Sequence, residues 1–353
     1  MILRGSNASP AIAGQYEIYD IGNNAILAGY SLGQVGTDWQ FAGLGRFFGS
    51  DTTDMLLRSA STGGLEVYDI SNNNITNAAS LGTVGLNWQV AGFGDFNHDG
   101  ATDMVLRDSG TGAFQVYDIS NNAIVSSSSL GTVGLNWQVA GFGDFNADGT
   151  TDMVLRNSGT GAFQVYDISN NAIVSSSSLG TVGLNWQFAA FGNFSSNPGE
   201  TDMILRNSNT GAFEVYDIVN NTIASAANLG TVGLDWQVAG VAPVSGAGRS
   251  DLVLRNVNTG QFEVYDIANN TITSAASLGA VGLDWQLGGF AVDPPTASMA
   301  DSGQVGQLVQ AMASFGGGSD GAGDDLATAA LAADASQQDV LAMASIDDDS
   351  RGP

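Results

Sequence analysis

Tryptophan marks a repeat of about 49 residues along this chain. Each tryptophan is followed by glutamine, and successive tryptophans are spaced 49, 49, 49, 50 and 49 residues apart. The six are Trp39, Trp88, Trp137, Trp186, Trp236 and Trp285. Residues 102–138 and 151–187 are identical except that Asp108 of the first segment corresponds to Asn157 of the second, which indicates a recent duplication. A period of this length is typical of repeat architectures, including the blades of propellers.

Each repeat contains four short segments with strand character, separated by turn signals. In one copy these are WQVAGFG, MVLR, FQVYDI and a segment running from about Ala123 to Leu130. The turns DSGTG and Asn121-Asn122 contain residues that tolerate positive φ, as tight hairpins require. Four antiparallel strands in every 49 residues, without helices, predict one blade of a β-propeller per repeat.

The order of the segments predicts how the ring closes. The M-x-L-R segment occurs six times from Met1–Arg4 onward, the last time with Leu252 in place of Met. The last repeat then ends with an additional WQLGGFAV segment at 285–292. Pairing of that segment with Met1–Arg4 completes a sixth blade and removes two exposed sheet edges. We therefore predict an all-β fold, a six-bladed β-propeller over residues 1–292 that is closed by the C-terminal repeat strand.

Small and aromatic residues have separate expected places in each blade. Ala91, Gly92 and Gly94 are expected where the innermost strands crowd the central channel, because large side chains would not fit there. Trp88, Phe93, Phe114, Tyr117 and their repeats are expected to pack the faces of the blades.

Two loops between the first and second strands of a blade are rich in oxygen-bearing side chains. Both follow the pattern D-x-[DN]-x-D-G-x-x-D, in which alternate residues of a tight loop can converge on one point. Hard oxygen donors in this number suit Ca²⁺, and the spacing resembles the start of an EF-hand loop. The predicted ligands, including the carbonyls of residues 101 and 150, are Asp95, Asn97, Asp99, Ala101 and Asp103, and then Asp144, Asn146, Asp148, Thr150 and Asp152.

The alternative for these loops is a polar Asp-Gly hairpin turn that binds no metal. A zinc site is excluded because the chain has no cysteine and its single histidine, His98, is at a non-ligand position. The corresponding loops at 45–54 and 241–251 have lost the pattern, and the loop at 193–202 retains it only in part. We predict two good calcium sites, at most one poor site, and a structural role for the metal.

The string Phe-Gly-Asp-Phe-Asn-x-Asp-Gly followed by Thr-Asp-Met-x-Leu resembles the FG-GAP or VCBS repeat. This repeat forms integrin-α-type propellers and occurs in many bacterial secreted proteins. The resemblance covers roughly residues 1–292, and it implies Ca²⁺ binding by Asp95, Asn97, Asp99 and Asp103 and by their counterparts 49 residues later. It implies the fold and the metal more strongly than the function, since the family includes adhesion modules, lectins and accessory domains of enzymes.

Charge excludes some classes of partner. The formal net charge is −26, from 35 acidic residues and nine arginines. Nucleic acid and anionic lipid need a basic face, so neither is expected as a partner. No apolar run is long enough for a membrane span and no N-terminal signal peptide is recognisable, so we expect a protein without membrane insertion. The lack of cysteine leaves the redox compartment undetermined.

Repeated charged and aromatic residues have two interpretations each. The arginines that end the M-x-L-R strands and the aspartates of the Tyr-Asp pairs could line a ligand face, but structural ion pairs or hydrogen bonds to loop carbonyls are favoured. The Trp-Gln pairs could stack on sugar rings, as in propeller lectins, but packing within the blade is favoured. No constellation of nucleophile, base and orienting group emerges, and the G-x-S-x-G match at 317–321 lies in a glycine-rich linker.

The composition changes at residue 293. Residues 293–353 contain ten acidic residues against one basic residue, Arg351, and are rich in Ala, Gly and Ser. Two short helices, at 304–315 and 326–343, are expected there, with a disordered tail as the alternative. The segment resembles the uncleaved signals of type I secretion in Gram-negative bacteria.

Three hypotheses for function follow. The first is a non-enzymatic, calcium-binding propeller for extracellular or cell-surface binding or adhesion, with a protein or glycan ligand, as part of a larger secreted protein. The second is a carbohydrate-binding lectin. The third is an accessory domain of a secreted hydrolase.

Overall fold

The computed structural model describes residues 1–48, 53–197, 199–246, 248 and 250–291. Within these ranges the chain is all-β, with 24 strands in six four-stranded antiparallel sheets and no helix. The tail that begins at residue 293, its two expected helices and its secretion signal lie outside the described residues.

Each sheet is one blade, and the last strand of the chain completes the first sheet. The closing blade has the strand order β24-β1-β2-β3, and blades 2 to 6 each use four consecutive strands. The strands of the closing blade and blades 2 and 3 are β24 (Trp285–Gly289), β1 (Ile2–Gly5), β2 (Gln15–Gly22), β3 (Ala25–Gln34), β4 (Trp39–Gly45), β5 (Asp54–Ser59), β6 (Gly64–Ser71), β7 (Asn74–Thr83), β8 (Trp88–Gly94), β9 (Asp103–Asp108), β10 (Ala113–Ser120) and β11 (Ala123–Thr132).

Blades 4 to 6 repeat the same lengths and positions. Their strands are β12 (Trp137–Gly143), β13 (Asp152–Asn157), β14 (Ala162–Ser169), β15 (Ala172–Thr181), β16 (Trp186–Gly192), β17 (Asp202–Asn207), β18 (Ala212–Val219), β19 (Thr222–Thr231), β20 (Trp236–Ala242), β21 (Asp251–Asn256), β22 (Gln261–Ala268) and β23 (Thr271–Ala280). The predicted strands are confirmed, with bounds extended by one or two residues.

The ring closes as the repeat predicts. Strand β24 pairs antiparallel with β1, which places Gln286 opposite Arg4 and Trp285 opposite Gly5. The innermost strands contact one another in the circular order β4, β8, β12, β16, β20, β24 and β4 again. The chain is therefore a six-bladed β-propeller.

Strand direction gives the ring two different faces. In blade 3, Trp88 pairs with Asp108 at one end of the sheet and Gly94 pairs with Asp103 at the other. We call the end with the tryptophans the tryptophan face, and the end with the loops after the innermost strands, such as residues 95–102, the loop face. The Asn121-Asn122 turn lies on the loop face, because β10 and β11 meet there.

Phenylalanines pack across the boundary between neighbouring blades. Phe96, in the loop after β8, is fully buried and lies edge-on to Phe142 on β12 of the next blade, with ring centroids 5.6 Å apart. Phe47 and Phe93 repeat this contact between blades 2 and 3, again at 5.6 Å. Edge-to-face pairs of this kind add to the free energy of burial.

This packing corrects the reason for the small residues in the innermost strands. A Cβ atom at Gly92 would lie 2.2 Å from the Phe142 ring, and one at Gly94 would lie 2.4 Å from the side chain of Thr151. Both neighbours belong to blade 4. Large side chains are therefore excluded at these positions by the adjacent blade. The prediction that the central channel excludes them is wrong for Gly92 and Gly94.

The predicted blade packing is confirmed. Phe93 and Phe114 are buried, and Trp88 and Tyr117 are partly buried against the core cluster that contains Phe93. The other five tryptophans are likewise partly buried against the hydrophobic clusters of their blades.

Replacement of Phe96 tests the contact between blades. We expect Phe96→Ala to lower the free energy of unfolding by about 3–5 kcal/mol, since it removes a buried ring and leaves a cavity. Urea denaturation measures this change. Leu135→Ala is the control, because Leu135 is 52% exposed, and equal destabilisation by both variants would contradict the prediction.

Candidate functional site

The two acidic loops adopt the same backbone conformation on neighbouring blades. His98 and Ala147 have φ values of 64° and 60°, and Gly100 and Gly149 have values of 83° and 85°. These left-handed residues make the sharp turns that a short loop needs in order to fold back on itself. The duplication therefore extends from the sequence to the loop geometry.

The first aspartate of each loop holds the turn together. In the first loop, Asp95 Oδ1 accepts a hydrogen bond from the Asp99 N–H at 3.1 Å and Oδ2 accepts one from the Gly100 N–H at 2.9 Å. In the second loop, Asp144 accepts the same two bonds, from Asp148 and Gly149. Burial raises the pKa of both Asp95 and Asp144.

The middle of each loop carries its exposed oxygens. Asp99 and Asp148 are exposed, and each accepts the N–H two residues later, from Ala101 and Thr150 respectively, at 2.8 Å. The side-chain amide of Asn97 donates to Asp99 Oδ2 at 3.3 Å. The amide of Asn146 donates to Asp148 in the same way, at 3.1 Å.

The last aspartate of each loop is fully buried and bonded to two backbone groups. Asp103 Oδ2 accepts the Phe96 N–H at 3.2 Å, and its Oδ1 accepts the Ile119 N–H at 3.1 Å. Asp152 makes the equivalent bonds. Burial raises the pKa of Asp103 and of Asp152 to about 8, although the two N–H donors act in the opposite direction.

Loops without the calcium pattern keep this last aspartate in the same role. Asp54 accepts N–H groups from Phe47, Phe48 and Ile70, and Asp202 accepts those of Phe194, Ser195 and Ile218. The retained aspartate therefore links the loop to the third strand of the blade whether or not a metal pattern surrounds it. Sequence reasoning missed this role, although its retention in degenerate loops was the available signal.

The two acidic loops supply oxygen donors, but their carboxylates do not form a group that is already arranged to hold a metal. In the part of the chain that the structure describes, no three His, Asp or Glu side chains form a group arranged to hold a metal. The donors of residues 95–103 and 144–152 are oxygens only, which is the chemistry that Ca²⁺ prefers. Calcium binding by these residues therefore stays a prediction.

The loop at 193–202 satisfies its own polar groups differently. Ser195 Oγ donates to Glu200 Oε2 at 2.9 Å, and Asn197 Nδ2 donates to the same oxygen at 2.8 Å. Asn193, at the position of Asp95, donates its amide to the Asn197 carbonyl. A neutral amide thus replaces the first carboxylate.

The two acidic loops are in direct contact with each other. The Thr151 N–H donates to the Asp95 carbonyl at 2.8 Å, and Thr151 Oγ1 accepts the Asp95 N–H at 3.0 Å. His98 Nδ1 lies 2.7 Å from the Gly149 carbonyl and donates to it, because a carbonyl can only accept. The start of one loop is thereby tied to the end of the other.

Repeated arginines and aspartates tie blades together. On the tryptophan face, Arg58 and Arg206 donate to the carbonyls of Gly85 and Gly233, at 3.0 and 2.9 Å. Four arginines also lie over the phenylalanine that follows them in their blade, and Arg4 lies over Tyr16, with guanidinium carbons 5.0–5.9 Å from the ring centroids. The predicted hydrogen bonds from these arginines to loop carbonyls are confirmed.

Four of the six aspartates of the Tyr-Asp pairs bind asparagines of the next blade on the loop face. Asn122 Nδ2 donates to Asp69 at 2.6 Å, and Asn73 Nδ2 donates to Asp20 at 2.9 Å. The same bond joins Asn270 to Asp217 and Asn24 to Asp266. These asparagines therefore link neighbouring blades as well as forming turns. The second Asn of the Asn-Asn pair occurs in every repeat, and this was the sequence signal for the link.

Comparisons with known proteins find structural similarity only, at low sequence identity. No protein-family model and no curated protein sequence matches the chain. A nidogen/laminin complex is similar at 14% identity, with a TM-score of 0.47 and 78% of this chain and 92% of that chain covered. A protein from Lactobacillus plantarum is similar at 12% identity, with a TM-score of 0.47 and 80% of this chain and 82% of that chain covered. A quinonprotein alcohol dehydrogenase-like protein from Bacteroides thetaiotaomicron is similar at 8% identity, with a TM-score of 0.44 and 79% of this chain and 75% of that chain covered.

None of the described segments forms a helix with the length and hydropathy of a membrane span.

The buried aspartates predict that stability decreases with rising pH. Burial raises the pKa of Asp54 to about 7, against about 3.9 in an unfolded chain. The folded protein thus holds a proton that the unfolded chain releases, so the stabilisation is complete below about pH 4 and is lost as the pH rises through 7. We expect the free energy of unfolding in EDTA to fall across this range, and to fall less in Asp54→Asn.

Urea denaturation at a series of pH values measures this effect. Asp54 is suitable because its loop lacks the calcium pattern. Asp235→Asn is the control, since Asp235 is exposed. Parallel curves for Asp54→Asn and the unmodified protein would contradict the predicted titration of Asp54.

Proposed function

We propose that this protein is a calcium-stabilised propeller of the FG-GAP or VCBS type that serves as a non-enzymatic binding or adhesion module. The observation that carries the proposal is the pair of oxygen-rich loops on blades 3 and 4, which share sequence, backbone conformation and hydrogen bonds. Within each loop, two exposed or partly exposed side chains follow a buried aspartate at alternate positions. A divalent cation would offset the repulsion among these carboxylates.

The proposed ligands are side-chain oxygens of Asp95, Asn97, Asp99 and Asp103, with the Ala101 carbonyl, and the matching residues of the second loop. Calcium would supply charge compensation and would fix the hairpin tips. Its proposed role is structural, because the blades whose loops lack the pattern fold in the same way. The contact of His98 with Gly149 joins the two loops, so occupancy of one site is expected to order the other.

The proposed setting is extracellular, on a bacterial secreted protein or at the cell surface. The acidic composition, with a net charge of −26, favours a protein or glycan partner over nucleic acid. A non-enzymatic role is supported by the repetition of the charged residues, whose bonds tie blades to each other. Arg58 and Asp69, for example, are both engaged in such links.

Thermal melting tests the calcium proposal. A ligand that binds only the folded protein raises its stability, by about 2.7 kcal/mol at a concentration of 100 times Kd. We therefore expect added Ca²⁺ to raise the Tm of EDTA-treated protein, and elemental analysis to find two calcium ions per chain.

A double variant locates the effect in the two loops. Asp99→Asn combined with Asp148→Asn should abolish most of the shift, since both carboxylates are exposed members of the proposed ligand sets. Asp235→Asn, an exposed acid on the tryptophan face, should keep the shift. An unchanged Tm together with no bound calcium would refute the proposal.

A further inference from the structure

A cavity of about 750 Å³ opens on the tryptophan face where blade 6, the closing blade and blade 2 meet. Its volume falls within the roughly 300–1,000 Å³ that is typical of small-molecule sites. The polar residues that line it include Arg4, Asn7, Gln40, Gln237, Arg255 and Gln286. It is far from the acidic loops, which lie on the other face of the ring.

The cavity lies where the repeat is broken. Arg4 and Tyr16 are separated by five more positions than their counterparts Arg107 and Phe114, so the turn between β1 and β2 is replaced by a longer loop. Ser6 and Asn7 of this loop line the cavity. The Ser6 N–H donates to the Asp284 carbonyl at 2.8 Å, and Asn7 Nδ2 donates to the Thr37 carbonyl at 3.0 Å, which fixes the loop over the ring.

The longer loop changes the surroundings of Arg4. Its side chain is only 6% exposed, whereas Arg107 at the same repeat position is half-buried. Arg4 Nη2 donates to Asn7 Oδ1 at 2.9 Å and to the Trp39 carbonyl at 3.0 Å. Nη2 also donates to the Thr37 carbonyl at 3.4 Å, and Nε is buried without a hydrogen-bond partner in the described residues. The guanidinium therefore lies beside the cavity and places its positive charge there.

The lining is positively charged in a strongly acidic protein. Two of the twelve lining residues are arginines and none is acidic. Burial lowers the pKa of Arg255, and the nearby Asp284, which is outside the lining, partly offsets that effect. Arginine binds carboxylates through paired donors more effectively than other side chains do.

The remaining lining residues suit a hydroxylated ligand with an apolar ring face. Gln40, Gln237 and Gln286 present exposed carboxamides that can both donate and accept hydrogen bonds. Phe41 and Leu287 add apolar surface between them. The tryptophans, which the sequence analysis considered for sugar stacking, are absent from this lining.

We propose that this cavity binds a carboxylate-bearing sugar, a uronic acid unit, with Arg4 as the principal contact of the carboxylate. The glutamines bind its hydroxyl groups. The inference goes beyond the calcium-stabilised module and does not depend on metal in the acidic loops.

Calorimetric titration with trigalacturonate tests the proposal on the full-length protein. The matched neutral probe is the fully methyl-esterified trisaccharide, which keeps the sugar rings and loses the charges. We expect saturable binding of trigalacturonate and at least tenfold weaker binding of the ester. Because a hydrogen bond to a charged group is among the strongest in proteins, Arg4→Gln should weaken binding of the acid at least tenfold.

Matched variants distinguish a loss of binding at the cavity from a general effect of changing the same repeat position elsewhere in the ring. Arg107→Gln changes the same repeat position outside the cavity and should leave binding unchanged. If Arg4→Gln lowers Tm so far that folding is in doubt, a double variant replaces it. Gln40→Ala combined with Gln286→Ala should weaken binding of trigalacturonate, whereas Gln89→Ala combined with Gln138→Ala, at the same repeat positions outside the cavity, should not. Absence of saturable binding, equal binding of acid and ester, or equal losses in the matched variants would overturn the proposal.

Titrations in EDTA and in Ca²⁺ distinguish this inference from the calcium proposal. Binding of trigalacturonate without any calcium effect on Tm would refute the calcium proposal alone. A calcium effect on Tm without binding of trigalacturonate would refute the cavity inference alone.

Discussion

Packing of phenylalanine rings across blade boundaries is the interaction on which this propeller depends. A four-stranded sheet has two faces, and a blade can bury both only against its two neighbours. Phe96 reaches Phe142 in the next blade, and the space for that ring exists because residue 92 is glycine. Such packing must continue around the whole ring, so the last strand has to join the first sheet. The pairing of β24 with β1 meets this requirement.

Polar bonds between repeated charged residues and their neighbours reinforce the same boundaries. On the tryptophan face, arginines such as Arg58 donate to backbone carbonyls in the connection that leads to the next blade. On the loop face, aspartates such as Asp69 accept from an asparagine of the next blade. Bonds between repeated residues therefore maintain the ring, and the places where the repeat changes are where specific functions are to be sought.

Two such departures lie on opposite faces of the ring. The acidic loops of blades 3 and 4 carry oxygen donors that the other described loops have lost, and the Asp95–Thr151 contacts link one to the other. On the tryptophan face, the longer loop after Arg4 encloses a positively charged cavity. A chain with a net charge of −26 thus presents oxygen-rich loops on one face and, on the other face, a cavity lined by two arginines.

The sequence by itself determined the strands, the number of blades and the way the ring closes, because alternation, turn residues and the 49-residue period are local properties that repeat six times. It also identified the two oxygen-rich loops by their spacing. Only the tertiary structure decided what crowds Gly92, which backbone groups Asp103 binds, and that Arg4 and Gln40 face one cavity. Each of these depends on atoms from different strands or blades, whose approach is set by the packing of whole sheets and leaves no pattern within a single repeat.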